Sequence, residues 1–166
     1  MLIEPATEDD VDAVVALVES AYRGDSSRAG WTTEADLLDG QRTDPDEVRS
    51  VLPSLLVARS GAELLGCCVL EQREDHGYFG MFAVRPGEQG SGTGSTLLAA
   101  AEERARAAGL SRVEMTVLST RAELIAFYLR RGYALTSQTK SFPYGDERFG
   151  LPKVDDLEFA VLVKEL

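Results

Sequence analysis

Residues 84–98 read VRPGEQGSGTGSTLL, with four glycines (Gly87, Gly90, Gly92 and Gly94) inside eight positions and an apolar pair behind them. So much bare backbone ahead of a helical pattern suits a phosphate, because amide N–H groups can approach it closely and the helix N-terminus adds a favourable dipole. Three common phosphate motifs fail on spacing. Gly87 and Gly92 have the separation of a P-loop, but Thr93 stands where a lysine must reach the β/γ-phosphates. Glycines at 90, 92 and 94 are too close together, and too late in the chain, for a dinucleotide fingerprint. A kinase glycine loop would need far more catalytic apparatus than 166 residues hold.

On either side of this run the hydrophobic period changes. Residues 54–84, SLLVARSGAELLGCCVLEQREDHGYFGMFAV, read as three β-segments joined by two hairpin links at Gly61 and EDHG. Residues 94–108 follow as a helix with Leu97, Leu98, Ala101 and Ala105 on one face, ended by Gly109. RVEMTVL alternates as a strand, RAELIAFYLRRGY is a short helix, and YALTSQ and LEFAVLVKEL are two further strands. Upstream, residues 2–6 read as a strand. Thr7 and Asp10 have the capping-box spacing ahead of a helix over residues 8–22. TTEADLLDG suggests a second helical stretch, and PDEVRSVL resumes a turn after Asp44-Pro45. The whole is a single α/β domain over residues 1–166: a mixed, mostly antiparallel sheet of about seven strands with about four helices.

Composition narrows the function. A net charge of −11 disfavours nucleic acid as a partner and mildly favours a cationic acceptor. Apolar runs of only a few residues leave no membrane span, and MLIEPATEDD lacks the features of a signal peptide, so a cytoplasmic protein is the default expectation. Cys67 and Cys68 are adjacent in an apolar run and read as reduced, packed thiols on opposite strand faces. With one histidine, His76, and no ligand spacing, no metal site is expected.

Val84-x-Pro86-x-x-Gln89-Gly90-x-Gly92-x-Gly94 followed by Leu97-Leu98 resembles the signature of the GNAT superfamily of acyl-CoA N-acyltransferases. Tyr128-x-x-x-Gly132-Tyr133, at the end of the helix after RVEMTVL, resembles that family's second motif. The likeness covers residues 54–166 well and residues 1–53 only in element order. It departs at Arg121, where the family often has asparagine. The resemblance implies acetyl-CoA as co-substrate, with Gln89, Gly90, Ser91, Gly92, Thr93 and Gly94 around its pyrophosphate. It also implies a bulged, splayed strand whose backbone at Phe82, Ala83 and Val84 holds the pantetheine, and Tyr128 as proton donor to the departing thiolate. Dimers are common in the family, so a homodimer is among the assemblies implied.

The expected activity is transfer of acetyl to an amine, most simply of a small molecule, by direct attack. A protein amine, or a non-catalytic acyl-CoA-binding module on the same fold, are the alternatives. An attacking amine has a pKa near 10 and must lose a proton. Glu71, Glu74, Asp75 and His76 cluster near one turn as candidate bases, with Glu114 on the next strand; the residues single out none, although Glu71 is the one least explained as a solvated turn. For the acceptor, two stretches mix aromatics with acids. One holds Trp31 with Glu34, Asp36 and Asp39; the other, between the last two strands, holds Phe142, Tyr144 and Phe149 with Asp146 and Glu147. Trp31, Glu71, Phe142 and Tyr144 are therefore the candidate acceptor residues. Arg148 and Lys153 could equally meet an acceptor's carboxylate.

Overall fold

A computed structural model describes residues 1–23, 28 and 33–166. Its main sheet has seven strands in the order β1-β3-β4-β5-β6-β9-β7: β1 (Leu2–Pro5), β3 (Leu55–Ser60), β4 (Glu63–Gln72), β5 (Gly77–Val84), β6 (Arg112–Leu118), β7 (Ala134–Ser141) and β9 (Glu158–Glu165). All pairings in it are antiparallel except β5 with β6. The helices are α1 (Val11–Tyr22), α2 (Pro45–Val51), α3 (Thr93–Ala107) and α4 (Ala122–Leu129). The α/β architecture expected from the sequence is the one observed.

The two sheet faces hold separate cores. Val11, Val14, Leu17 and Val18 of α1 pack with Val48 of α2 over Leu55, Val57, Cys67 and Val69. On the other face Leu97, Leu98, Ala101 and Ala105 of α3 pack with Phe127 and Tyr128 of α4 over Ala58, Cys68 and Phe79. Each large aliphatic side chain so buried contributes about 1.5–3 kcal/mol. The adjacent cysteines do point to opposite faces and are free. Burial pushes the Cys67 thiol up to about 12, so it is no nucleophile at neutral pH.

One expectation is corrected. TTEADLLDG forms no helix over its described residues. Leu37 and Leu38 donate to the Glu34 carbonyl in a single turn, and Leu38–Asp39 then becomes β2. β2 pairs antiparallel with β8 (Leu151–Pro152), a short strand within the connection between β7 and β9. Leu38 is buried with Leu118, Phe142 and Leu157 in a third, small cluster. Burial of Leu38 against residues far along the chain outweighs a weak local helix preference.

Asp10 ties the first strand to α1. Its carboxylate accepts from the Thr7 backbone N–H at 2.9 Å and pairs with Arg59 of β3. Burial works against the charged form, but the Arg59 and Thr7 hydrogen bonds prevail and hold the carboxyl below its ordinary value. A depressed carboxylate adds stability that is present above the unfolded value near pH 4 and lost as the pH falls below it. Asp10→Asn is expected to lower the melting temperature by about 3–8 °C at pH 7, a cap-plus-pair loss of about 1–2 kcal/mol. Thermal scans should find the gap between variant and parent closing below pH 4; a gap independent of pH would remove the charge from this account.

Candidate active site

β5 is hydrogen-bonded along one edge and, after its first two residues, open on the other. Its parallel pairing with β6 lasts for Gly77↔Val113 and Tyr78↔Glu114 only, while β6 stays paired to β9 as far as Leu118. From Phe79 onward the two strands diverge. On the opposite edge, Met81 and Phe82 stand against the single residue Cys68, a bulge that places Met81 at φ 42. The Tyr22 hydroxyl donates to the Phe82 carbonyl, tying the bulge to the end of α1. Val84 packs beneath the loop that follows, and its carbonyl accepts from Gln89 Nε2 at 3.1 Å. Both carbonyls thus carry a bond within the chain, and Gln89 serves to shape the loop.

The glycine loop leads directly into α3. Gly90 and Gly92 take φ of 96° and 94°, and Gly92 is the residue that caps the helix. The Thr96 N–H is the first to find a carbonyl of the turn, that of Gly92 at 3.0 Å. Among the described residues the N–H groups of Gly90, Gly92, Thr93, Gly94 and Ser95 find no acceptor in the chain. Such a row of donors at a helix N-terminus is an anion site. Gly94 has a packing reason as well: a Cβ there would come within 3.0 Å of the Phe82 ring. The loop borders a pocket of about 290 Å³ lined by Phe82, Val84, the loop glycines, Phe127, Arg130 and Arg131. The two arginines went unnoticed in the sequence, although both lie inside the second motif. Arg131 stacks 3.5 Å over the Phe127 ring and donates to Ser95 Oγ at 2.5 Å, so its cation is fixed beside the loop.

Past the bulge, a cavity of about 1030 Å³ occupies the gap between β5 and β6. Phe79 to Phe82 line one wall and Met115 to Leu118 the other, with Tyr22, Arg23 and Glu34 from the α1 side. Tyr128 also lines it, packed against Phe79, Phe82, Phe127 and Tyr133 and only 3% exposed. Burial, reinforced by neighbouring tyrosines, pushes its phenol well above 10. A group with that shift keeps its proton through the neutral range and can donate it, but cannot act as a base.

The other candidate residues divide. Glu71 lines the cavity, beside Tyr78, and its carboxylate meets Arg73 at 3.3 Å. Phe142 lines it too, stacked on Phe159. Asp75, His76 and Glu114 lie away from it, at the end where β5 and β6 remain paired: His76 Nδ1 meets Asp75 at 2.7 Å, and Glu114 pairs with Lys140 at 3.5 Å. Tyr144 does not border the cavity. Its hydroxyl donates to the Val154 carbonyl and accepts from the Leu157 N–H, which fastens the β7–β9 connection to itself. Phe149 occupies the cavity wall in its place. Arg148 is held by Asp146, and Lys153 by Asp39 and the Ala35 carbonyl. The Trp31 expectation lies outside the described residues. Arg121, the departure from the family pattern, is buried at the start of α4 with its guanidinium 3.5 Å from Glu34.

A sheet splayed at a bulge, followed by a glycine loop that opens a helix, defines a class of acyl-CoA-dependent transferases. Residues 12–133 match the Acetyltransferase (GNAT) family. Over 145 residues the chain is 33% identical to an IAA acetyltransferase of Azospirillum brasilense, covering 84% of this chain and 88% of that one. It is 28% identical over 153 residues to an L-methionine sulfoximine/L-methionine sulfone acetyltransferase of Pseudomonas aeruginosa, covering 89% and 87%. A solved ribosomal-protein-alanine N-acetyltransferase from Brucella melitensis superposes over the full length of both chains with a TM-score of 0.74 at 21% identity, a likeness of fold. The chain belongs to the GNAT acetyltransferase family: it is an acyl-CoA-dependent N-acetyltransferase with acetyl-CoA as co-substrate. Among the described residues no helix is long and apolar enough to cross a membrane.

Proposed function

We propose that the acceptor is the amine of a small molecule held in the 1030 Å³ cavity, and that it attacks acetyl-CoA directly in a ternary complex. The observation that carries this reading is Phe82, which lines both the loop pocket and the cavity. A molecule anchored by its pyrophosphate at the loop and running along the open edge of β5 therefore reaches the cavity at the bulge, beside Tyr128. A cavity of this size fits a metabolite-sized acceptor. The two relatives named above also act on small molecules, by their names.

The roles follow from the chemistry. The N–H groups of residues 90 and 92–95, with Arg130 and Arg131 alongside, bind the pyrophosphate. Backbone groups of residues 82–84 hold the pantetheine, and an N–H of the bulge polarises the thioester carbonyl and steadies the oxyanion of the tetrahedral intermediate. Glu71 is the carboxylate placed to accept, directly or through water, the proton the ammonium group must lose. As the intermediate collapses, the carbon–sulfur bond breaks and Tyr128 supplies the proton to the leaving sulfur. Phe142 and Phe149 provide apolar wall to the acceptor side.

Thermal unfolding with acetyl-CoA, CoA, ATP and NAD in parallel tests the first half of this reading. Ligand at a hundred times its Kd should add about 2.7 kcal/mol, a shift of roughly 5–10 °C for a domain of this size. Shifts with acetyl-CoA and CoA alone are expected. A larger shift with ATP or NAD would refute the assignment of the loop. An amine panel scored by thiol release tests the second half; turnover of peptide N-termini alone would refute a small-molecule acceptor.

A further inference from the structure

Among the described residues that line the cavity is a buried cation whose bonding is incomplete. Arg23, the residue after α1, is 6% exposed, and its Nη1 is engaged by Glu34 at 2.5 Å. Glu34 is itself shared with Arg121, so the head group of Arg23 is fixed in orientation. Its other edge is different: Nε and Nη2 are buried and have no hydrogen-bond partner among the described residues. A guanidinium never loses its proton, so these are two charged donors permanently without an acceptor, a costly arrangement in a folded interior. They are also adjacent and parallel, the geometry that receives the two oxygens of one carboxylate.

Among the described residues, glycine backbone backs that edge. Gly150, at φ 100 in the β7–β9 connection, sits against it: a Cβ there would stand 3.0 Å from Arg23 Nη2 and 3.0 Å from the Asp39 carbonyl. The two cations of the β7–β9 connection are already committed, Arg148 to Asp146 and Lys153 to Asp39. Arg23 is also next in sequence to Tyr22, whose hydroxyl rests on the Phe82 carbonyl at the bulge. Arg23 therefore belongs to the same cavity wall as Tyr22 and Phe82.

Building on the proposed small-molecule acetyl transfer, we infer that the acceptor bears a carboxylate, bound bidentately by Nε and Nη2 of Arg23, and so is an α-amino acid or a close analogue. Arg23 is a specificity residue in this assignment. Glu34 and Arg121 position it. The ammonium end of such a molecule extends from Arg23 toward the bulge and Tyr128, where the transfer takes place.

The experiment scores thiol release from acetyl-CoA with the twenty proteinogenic L-amino acids and L-methionine sulfone, each beside its carboxamide and its decarboxylated amine. Wild-type protein should favour at least one acid over its carboxamide by about 100-fold or more in kcat/KM, as a site built for a charged partner does. Arg23→Gln should bring that ratio below about tenfold, chiefly through KM. Arg23→Lys keeps a cation against Glu34 but not the fork, so it should erode the ratio in the same direction, and it carries the test if Arg23→Gln does not fold. Carboxamides or simple amines that match the acids in wild-type protein would overturn the inference. So would an acid-to-amide ratio that survives both substitutions, or a protein that acetylates no acid in the set. Stabilisation by acetyl-CoA, read on the same preparations, reports separately on the underlying transferase reading and is expected in the wild type and both variants.

Discussion

Tyr128→Phe is expected to lower kcat by about 10²- to 10⁴-fold, the usual contribution of a positioned proton donor, with acetyl-CoA affinity changed by no more than about twofold. The two effects separate because the substitution leaves the ring packed as before. Tyr128 makes edge contacts with Phe79, Phe127 and Tyr133, all of which a phenylalanine ring can keep. The fold should therefore tolerate the change with little loss of melting temperature. Burial holds the phenol protonated well past pH 10, so this residue should not contribute an alkaline limb to the rate profile below that pH. Steady-state kinetics with an active amine decide the matter. A kcat equal to that of wild type would reduce Tyr128 to a packing residue, and the sulfur would have to receive its proton from solvent.

The second large effect belongs to Gly92→Val. Gly92 caps α3 at φ 94 with nothing within 4 Å of where a Cβ would stand, so the damage comes from conformation and from obstruction of the loop. A β-branched residue in the left-handed region costs about 1–3 kcal/mol, a fall of roughly 2–12 °C in melting temperature for a domain of this length. Relief of that strain turns the N–H groups of residues 92–94 away from a common centre. Hydrogen bonds to charged groups contribute about 1.5–3 kcal/mol each, so loss of two of them weakens acetyl-CoA about 100-fold or more. The variant should melt lower and no longer respond to acetyl-CoA. An undiminished response would show that the loop does not close on the pyrophosphate.

How far the sequence reaches can be judged residue by residue. Leu97, Leu98, Ala101 and Ala105 announced the buried face of α3, and all four are buried. The strand run of residues 54–84 became β3, β4 and β5, with the turns at Gly61 and at the EDHG segment where the punctuation put them. Gly90 and Gly92 adopt backbone angles that explain their identity. Such features are legible because each depends on local period or local backbone freedom. TTEADLLDG was misread because a partner strand far along the chain settles its conformation, which no local period reports.

The acceptor side was legible only in part, for the same reason. Glu71 of β4 and Phe142, just past the end of β7, both line the cavity from far apart in the chain, whereas Tyr144, of equal promise on composition, spends its hydroxyl on its own connection. Arg130 and Arg131 carry no local signal of a role; packing sets Arg131 on Phe127 beside the loop. Nothing near Arg23 in the chain marks it; Glu34, Gly150 and Arg121 converge on it only in three dimensions. By itself the sequence determined the order of elements, the glycine loop and the class of chemistry, since those rest on hydrophobic period and on the conformations glycine allows. Tertiary structure alone decided which charged side chains of the cavity wall are left without a full set of partners, because that depends on what distant segments bring to each of them.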